Sequence, residues 1–132
     1  MEEDYKKKMK EARDYWMSYY KIEPEQYERL GKYNPDIMAS WTNFRRSTWK
    51  VPGEGGHLPF KFKELLAVGI EVAVGKQHVG HVERAIDNGA TVDEIAEVLG
   101  ICIMLGGMMT YETGGKDVLK RAEAHAKKIG KL

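Results

Sequence analysis

The residues with the most chemical capacity lie in one stretch, Gly75 to Ala85, which reads G-K-Q-H-V-G-H-V-E-R-A. It follows an almost wholly apolar run, A-V-G-I-E-V-A-V over residues 67–74, whose one carboxylate is Glu71. His78 and His81 are three apart, a spacing that puts both on one face of a helix. Histidine titrates near neutrality, so the pair suits general acid–base work. The plainer reading is two surface histidines, one of them bonded to a backbone carbonyl.

Glu71 is the most unusual single residue. A carboxylate buried among apolar neighbours must be paired or hold its proton more tightly, and either condition suits a group that moves protons. A salt bridge to Lys76 or Arg84, or a wet subunit contact, would also account for it. Lys76 offers a cation for a substrate carboxylate, or an amine nucleophile if desolvated; a solvated lysine after a helix break is the commoner case. Arg45-Arg46 could clamp a carboxylate through Arg46 or pair with acids of the first helix. Lys63 and Glu64 open their helix and read as capping it or bridging subunits. A metal is the competing chemistry: His78 and His81 with Glu71, or with His57, would supply three ligands. H-x-x-H alone is weak evidence for that, because the common zinc helix spaces its histidines by four.

These residues sit in a chain of 132 residues, enough for one domain with a single core. Lys and Arg number 21 against 20 Asp and Glu, a net charge of +1, which lacks the basic footprint of a nucleic-acid binder. The lysines at 6, 7, 8 and 10 alternate with acids, as on a solvated helix face. The lone cysteine, Cys102, lies in the apolar context I-C-I-M-L and reads as a small core residue. The start is charged from residue 2, unlike a secretory signal, and no apolar run approaches the roughly 20 residues of a membrane span. A cytoplasmic protein that engages neither membrane nor nucleic acid is expected.

The positioning elements read as helices throughout. Residues 2–20 repeat Tyr5, Met9, Ala12, Tyr15, Trp16 and Tyr19 near helical spacing. Pro24 opens a short helix that Gly31 stops near Leu30. Asn34 and Pro35 cap a third helix, which runs to about Trp49. The loop V-P-G-E-G-G-H-L-P, residues 51–59, separates this N-terminal arm, 1–50, from a core over 60–132 within one domain. In the core a helix covers 60–74, Gly75 breaks it, and a second runs to about Asn88 before Gly89. Thr91 and Glu94 form a capping box for a third, ending near Leu105 with Ile95, Val98, Leu99, Cys102 and Ile103 on its buried stripe. A last helix carries Met108 and Met109, passes glycines 114–115 and ends in lysines that suit its dipole. The methionines at 104, 108 and 109 read as core or subunit interface.

K-E-L-L-A-V-G-I at 63–70, then H-V-E-R-A-I-D-N-G-A-T-V-D-E-I-A-E-V-L at 81–99, then G-G at 106–107, resemble the carboxymuconolactone decarboxylase family, to whose superfamily the alkylhydroperoxidase D-like proteins also belong. P-D-I-M at 35–38 looks like the family's entry helix, so the resemblance covers roughly residues 35–112. It implies an all-α domain that assembles as a trimer or hexamer, with a site near the start of the helix carrying His81. In the peroxidase branch that helix carries C-x-x-C-x-x-x-H. Counting back from His81 puts Gln77 and Val74 where those cysteines would stand, so the resemblance leans to the cofactor-free decarboxylase branch.

With these residues the resemblance implies an all-α homo-oligomer that performs cofactor-independent proton transfer, decarboxylation or isomerisation, on a small organic acid or lactone. His81 or His78 moves the proton, Glu71 tunes the histidine or serves as the partner acid, and Lys76 or Arg46 holds the substrate carboxylate. A thiol peroxidase and a non-catalytic or metal-binding protein of the same fold are the alternatives.

Overall fold

Caps and glycines punctuate the chain into helices. The computed structural model describes residues 2–20, 25–76 and 80–132. Its architecture is all-α, with no strand among the described residues. The helices are α1 (Glu2–Tyr20), α2 (Glu25–Tyr33), α3 (Pro35–Thr48), α4 (Phe60–Ala73), α5 (His81–Asp87), α6 (Val92–Gly106) and α7 (Lys116–Lys128), with a π turn at Tyr111–Gly115 leading into α7. None of them is long and apolar enough to cross a membrane. The chain forms two compact units, Met1–Lys50 and Val51–Leu132.

In the first unit α1, α2 and α3 enclose Ala12, Trp16 and Met38. The Trp16 indole donates to Thr42 Oγ1 at 3.1 Å and stacks on Tyr27 with centroids 4.4 Å apart, so the polar edge of a buried ring is satisfied. Asn34 Oδ1 accepts from Ile37 N, and Pro35 occupies the first turn of α3, as the sequence suggests. Gly31 does not stop α2, which continues to Tyr33. A Cβ at residue 31 would lie 2.3 Å from Met9 Cε, so the glycine answers to helix packing. Pro24 lies outside the described residues.

The second unit carries the site. Val68 and Val72 of α4, Val82 and Ile86 of α5, Ile95, Leu99 and Cys102 of α6, and Val118, Ala122 and Ala126 of α7 form one core. The Thr91–Glu94 capping box starts α6 with both reciprocal bonds in place, and Glu94 Oε1 also accepts from Lys61 Nζ on α4 at 2.6 Å. The Lys61 ammonium, then the Thr91 N–H, hold the Glu94 carboxyl below its ordinary value. The methionines at 104, 108 and 109 are exposed and take no part in the core.

The end of α4 is built by a Schellman turn. Lys76 N donates to Glu71 O at 2.8 Å and Gly75 N to Val72 O at 3.2 Å. Gly75 takes φ +71, the left-handed conformation this motif requires after a helix.

Candidate active site

The second helix of the core does not run from the Gly75 break to Asn88. It begins at His81, preceded by Gly80 at φ +82. This left-handed residue marks where the helix carrying His81 starts; His78 lies outside the described residues. A Cβ at residue 80 would lie 2.5 Å from Arg84 Nη1, so Gly80 both makes the turn and leaves room for the guanidinium.

His81 is buried and held on both ring nitrogens. Its Nδ1 lies 2.5 Å from Glu64 Oε2, and its Nε2 lies 3.3 Å from Glu71 Oε1. Glu64 and Glu71 are seven apart on α4, two turns along one face. The α5 start is thus clasped by a carboxylate from each turn. Arg84, one turn after His81, reaches back so that Nη2 lies 3.1 Å from His81 Nδ1 and Nε lies 3.5 Å from Glu64 Oε1.

A carboxylate accepts only, so the short Glu64 contact places a proton between it and Nδ1, and the Arg84 contact adds a cation beside that pair. The Nε2–Glu71 contact needs one more proton. It sits either on Nε2, making imidazolium between two carboxylates, or on Glu71, facing the lone pair of neutral imidazole. One proton shared between Nε2 and Oε1 separates the two states. The Glu64 side chain is 0% exposed and that of Glu71 is 24%. The inner carboxylate is fully enclosed against the ring, while the Glu71 side chain is partly exposed although its Oε2 is buried.

The sequence reading brings Glu71 and His81 forward, and the structure brings them together. Glu64, expected to cap its helix or bridge subunits, lies buried under the imidazole. Its seven-residue spacing from Glu71 was the available signal. Lys76 is exposed just past the α4 turn, beside a cleft lined by Val72, Thr113 and Asp117 among others. Arg46 belongs to the first unit, where it donates to Glu11 O at 3.2 Å and covers the Tyr15 ring at 4.8 Å. Its neighbour Arg45 is buried, with its guanidinium carbon 3.5 Å from the Trp49 ring centroid.

Among the described residues no group of three or more His, Cys, Asp or Glu could hold a metal ion, and His57 is exposed in the loop. Cys102 is buried on α6, donates to Gly69 O at 3.3 Å, and has its thiol pKa pushed up by burial. Burial of this kind opposes the thiolate that peroxide reduction needs.

The profile of the Carboxymuconolactone decarboxylase family matches residues 35–113, from the start of α3 to within the π turn. The chain belongs to the carboxymuconolactone decarboxylase family. An uncharacterized protein of Cupriavidus necator is 33% identical over 84 residues, covering 62% of this chain and 71% of that one. The crystal structure of a putative carboxymuconolactone decarboxylase from Burkholderia xenovorans LB400 superposes with a TM-score of 0.85 at 23% identity, over 96% of each chain. At that identity the likeness establishes the decarboxylase family fold, the alkylhydroperoxidase D-like helical domain, and nothing about substrate.

Proposed function

We propose that this family member is a cofactor-independent acid–base enzyme acting on a small organic acid or lactone, with decarboxylation as the reaction. The observation that carries this reading is His81 held between Glu64 and Glu71, one carboxylate on each ring nitrogen. When carbon dioxide leaves, the C–C bond breaks and its electron pair moves into a conjugated carbonyl of the substrate. The resulting enolate carbon takes a proton from the Nε2–Glu71 pair, and Glu71 recovers one from solvent. Glu64 and Arg84 hold the ring in register and do not touch substrate. Lys76 is the candidate cation for a second substrate carboxylate, Arg46 the less favoured one. His78 remains a candidate beside His81. The same pair would serve an isomerisation, in which the proton is removed before it is returned.

A homo-oligomer, trimer or hexamer, goes with this reading, in the cytoplasm. Phe62, Leu66, Ile70, Ile101 and Leu105 form an exposed apolar face on α4 and α6, of the character that proteins bury between subunits. Sedimentation equilibrium of a monomer at micromolar concentration would remove this part of the proposal.

The enzymatic part is tested by carbon dioxide release from carboxymuconolactone and from smaller lactone acids. His81→Asn should lower the rate by about 10²–10⁴-fold, and Glu71→Gln by less, because His81 Nε2 keeps a neighbour. No release from any of these acids by the unaltered protein, or full activity in His81→Asn, sinks the reading.

A further inference from the structure

The cleft beyond the α4 turn has features that the proton-transfer pair does not use. It encloses about 290 Å³, at the small end of ligand-site volumes. One wall is the Schellman turn, which presents Lys76. The other is the π turn and the start of α7, with Thr113, Gly114, Asp117 and Arg121. The π turn closes through Lys116 N to Tyr111 O, a widened geometry that recurs at functional sites.

The glycine pair within this turn divides in role. A Cβ at Gly115 would meet Tyr111 Cδ2 at 3.1 Å and Leu99 Cδ2 at 3.3 Å, whereas a Cβ at Gly114 would meet nothing within 4 Å. Packing therefore accounts for Gly115 and does not account for Gly114. Gly114 has no positive φ, so backbone conformation does not require it either. Its missing side chain leaves the cleft open.

The charges in the cleft are also sorted. Arg121 is committed to Glu83 through both carboxylate oxygens, at 2.9 and 2.8 Å from Nη2. Lys76 and Asp117 line the cleft and, among the described residues, enter no ion pair. An ammonium and a carboxylate facing one small cavity match a ligand end that offers a carboxylate to the first and a hydrogen-bond donor to the second.

We propose that this cleft is the specificity subsite for a small hydroxy acid, with Lys76 binding the carboxylate, Asp117 accepting from the hydroxyl, and Gly114 setting the size admitted. The proposal rests on the acid–base reading for its link to catalysis. The backbone bond from Lys76 N to Glu71 O ties this wall to the residue that faces His81. The cleft would then hold the non-reacting end of the substrate.

The test is a titration of ¹⁵N-labelled full-length protein with 3-hydroxybutyrate and with butyrate, followed by amide shifts. Saturable shifts at Gly75, Lys76 and Gly114, with tighter binding of the hydroxy acid, are expected. Lys76→Met should weaken binding about tenfold, Asp117→Asn should erase the preference for the hydroxy acid, and Gly114→Leu should abolish the shifts. Gly114→Ala, which adds one carbon into open space, gives an intermediate loss and guards against a folding defect in the larger variant. No saturable shift at these amides, or an unchanged titration in Gly114→Leu, overturns the proposal. His81→Asn should leave the titration as it is. Binding that persists while no lactone acid is decarboxylated would therefore retain the subsite and remove the acid–base reading.

Discussion

The two faces of α4 invert the usual amphipathic helix. Its inward face carries two carboxylates, Glu64 and Glu71, set among Val68 and Val72. Its outward face carries Phe62, Leu66 and Ile70, each about half exposed. With Leu58, Ile101 and Leu105 this outward face bounds a groove of about 640 Å³. Where α4 crosses α6 the gap is narrow, since a Cβ at Gly69 would come within 3.0 Å of Val98 Cγ1. A monomer optimised for stability would exchange these faces. Burying a carboxylate costs several kcal/mol unless it is paired, and leaving large apolar side chains half in water forgoes about 1 kcal/mol or more each. The inner face is accounted for by the contacts its carboxylates make with His81, and the outer face, on the proposed reading, by a subunit contact.

The largest effect should come from unbalancing the inner face. Arg84→Met removes the cation beside Glu64 and leaves that carboxylate with less compensation, so unfolding free energy should fall by about 3–5 kcal/mol. Adding Glu64→Gln to Arg84→Met should recover part of the loss, because the second change removes the charge that was stranded. A double-mutant cycle by urea denaturation measures this, and strict additivity would show that the two side chains do not act as a unit.

The outer face should respond differently. Leu66→Ser should shift the stability of the isolated chain by only about 0.5–1 kcal/mol while weakening self-association. Sedimentation at several concentrations reads the second effect. A variant that associates like the parent would assign the face to something other than a second copy.

The smallest effect concerns the rim between these faces, where Lys61 meets the α6 capping box. The folded Glu94 carboxyl titrates below its unfolded value. Its contribution is therefore complete above the ordinary carboxylate range and is lost as pH falls through the folded value. Glu94→Gln should flatten the acid limb of the stability profile and leave neutral pH nearly unchanged. Thr91→Ala, which removes the cap itself, should cost about 0.5 kcal/mol at every pH. An acid limb that keeps its slope in Glu94→Gln would assign it to another carboxylate.

Local signals made much of this fold legible. The Asn34–Pro35 start of α3, the capping box of α6 and the glycine end of α4 are each written within a few residues, and each forms as read. Glu71 stood out because its neighbours are apolar. Glu64 did not, because Lys61 and Lys63 flank it and make an ordinary charged first turn. Its burial comes from α5 packing over it, a contact across 17 residues that no local pattern records. Gly31 misled for the same reason: its meaning lies in Met9, on another helix. The π turn shows in sequence only as a pair of glycines, and which of the two faces open space depends on Leu99 and Tyr111.

Gly80 carries a consequence for how this chain can vary over generations. Every glycine codon lies one nucleotide from codons for residues with a side chain, and two features of the site bear on such residues. The backbone stands at φ +82, and the space for a Cβ is taken by Arg84 Nη1. A single-base change here therefore crowds the guanidinium beside Glu64, and every reachable residue except aspartate, which tolerates a left-handed backbone, also strains the turn into α5. At residue 80 the genetic code offers only silent steps, a stop, or steps that press on the guanidinium beside Glu64.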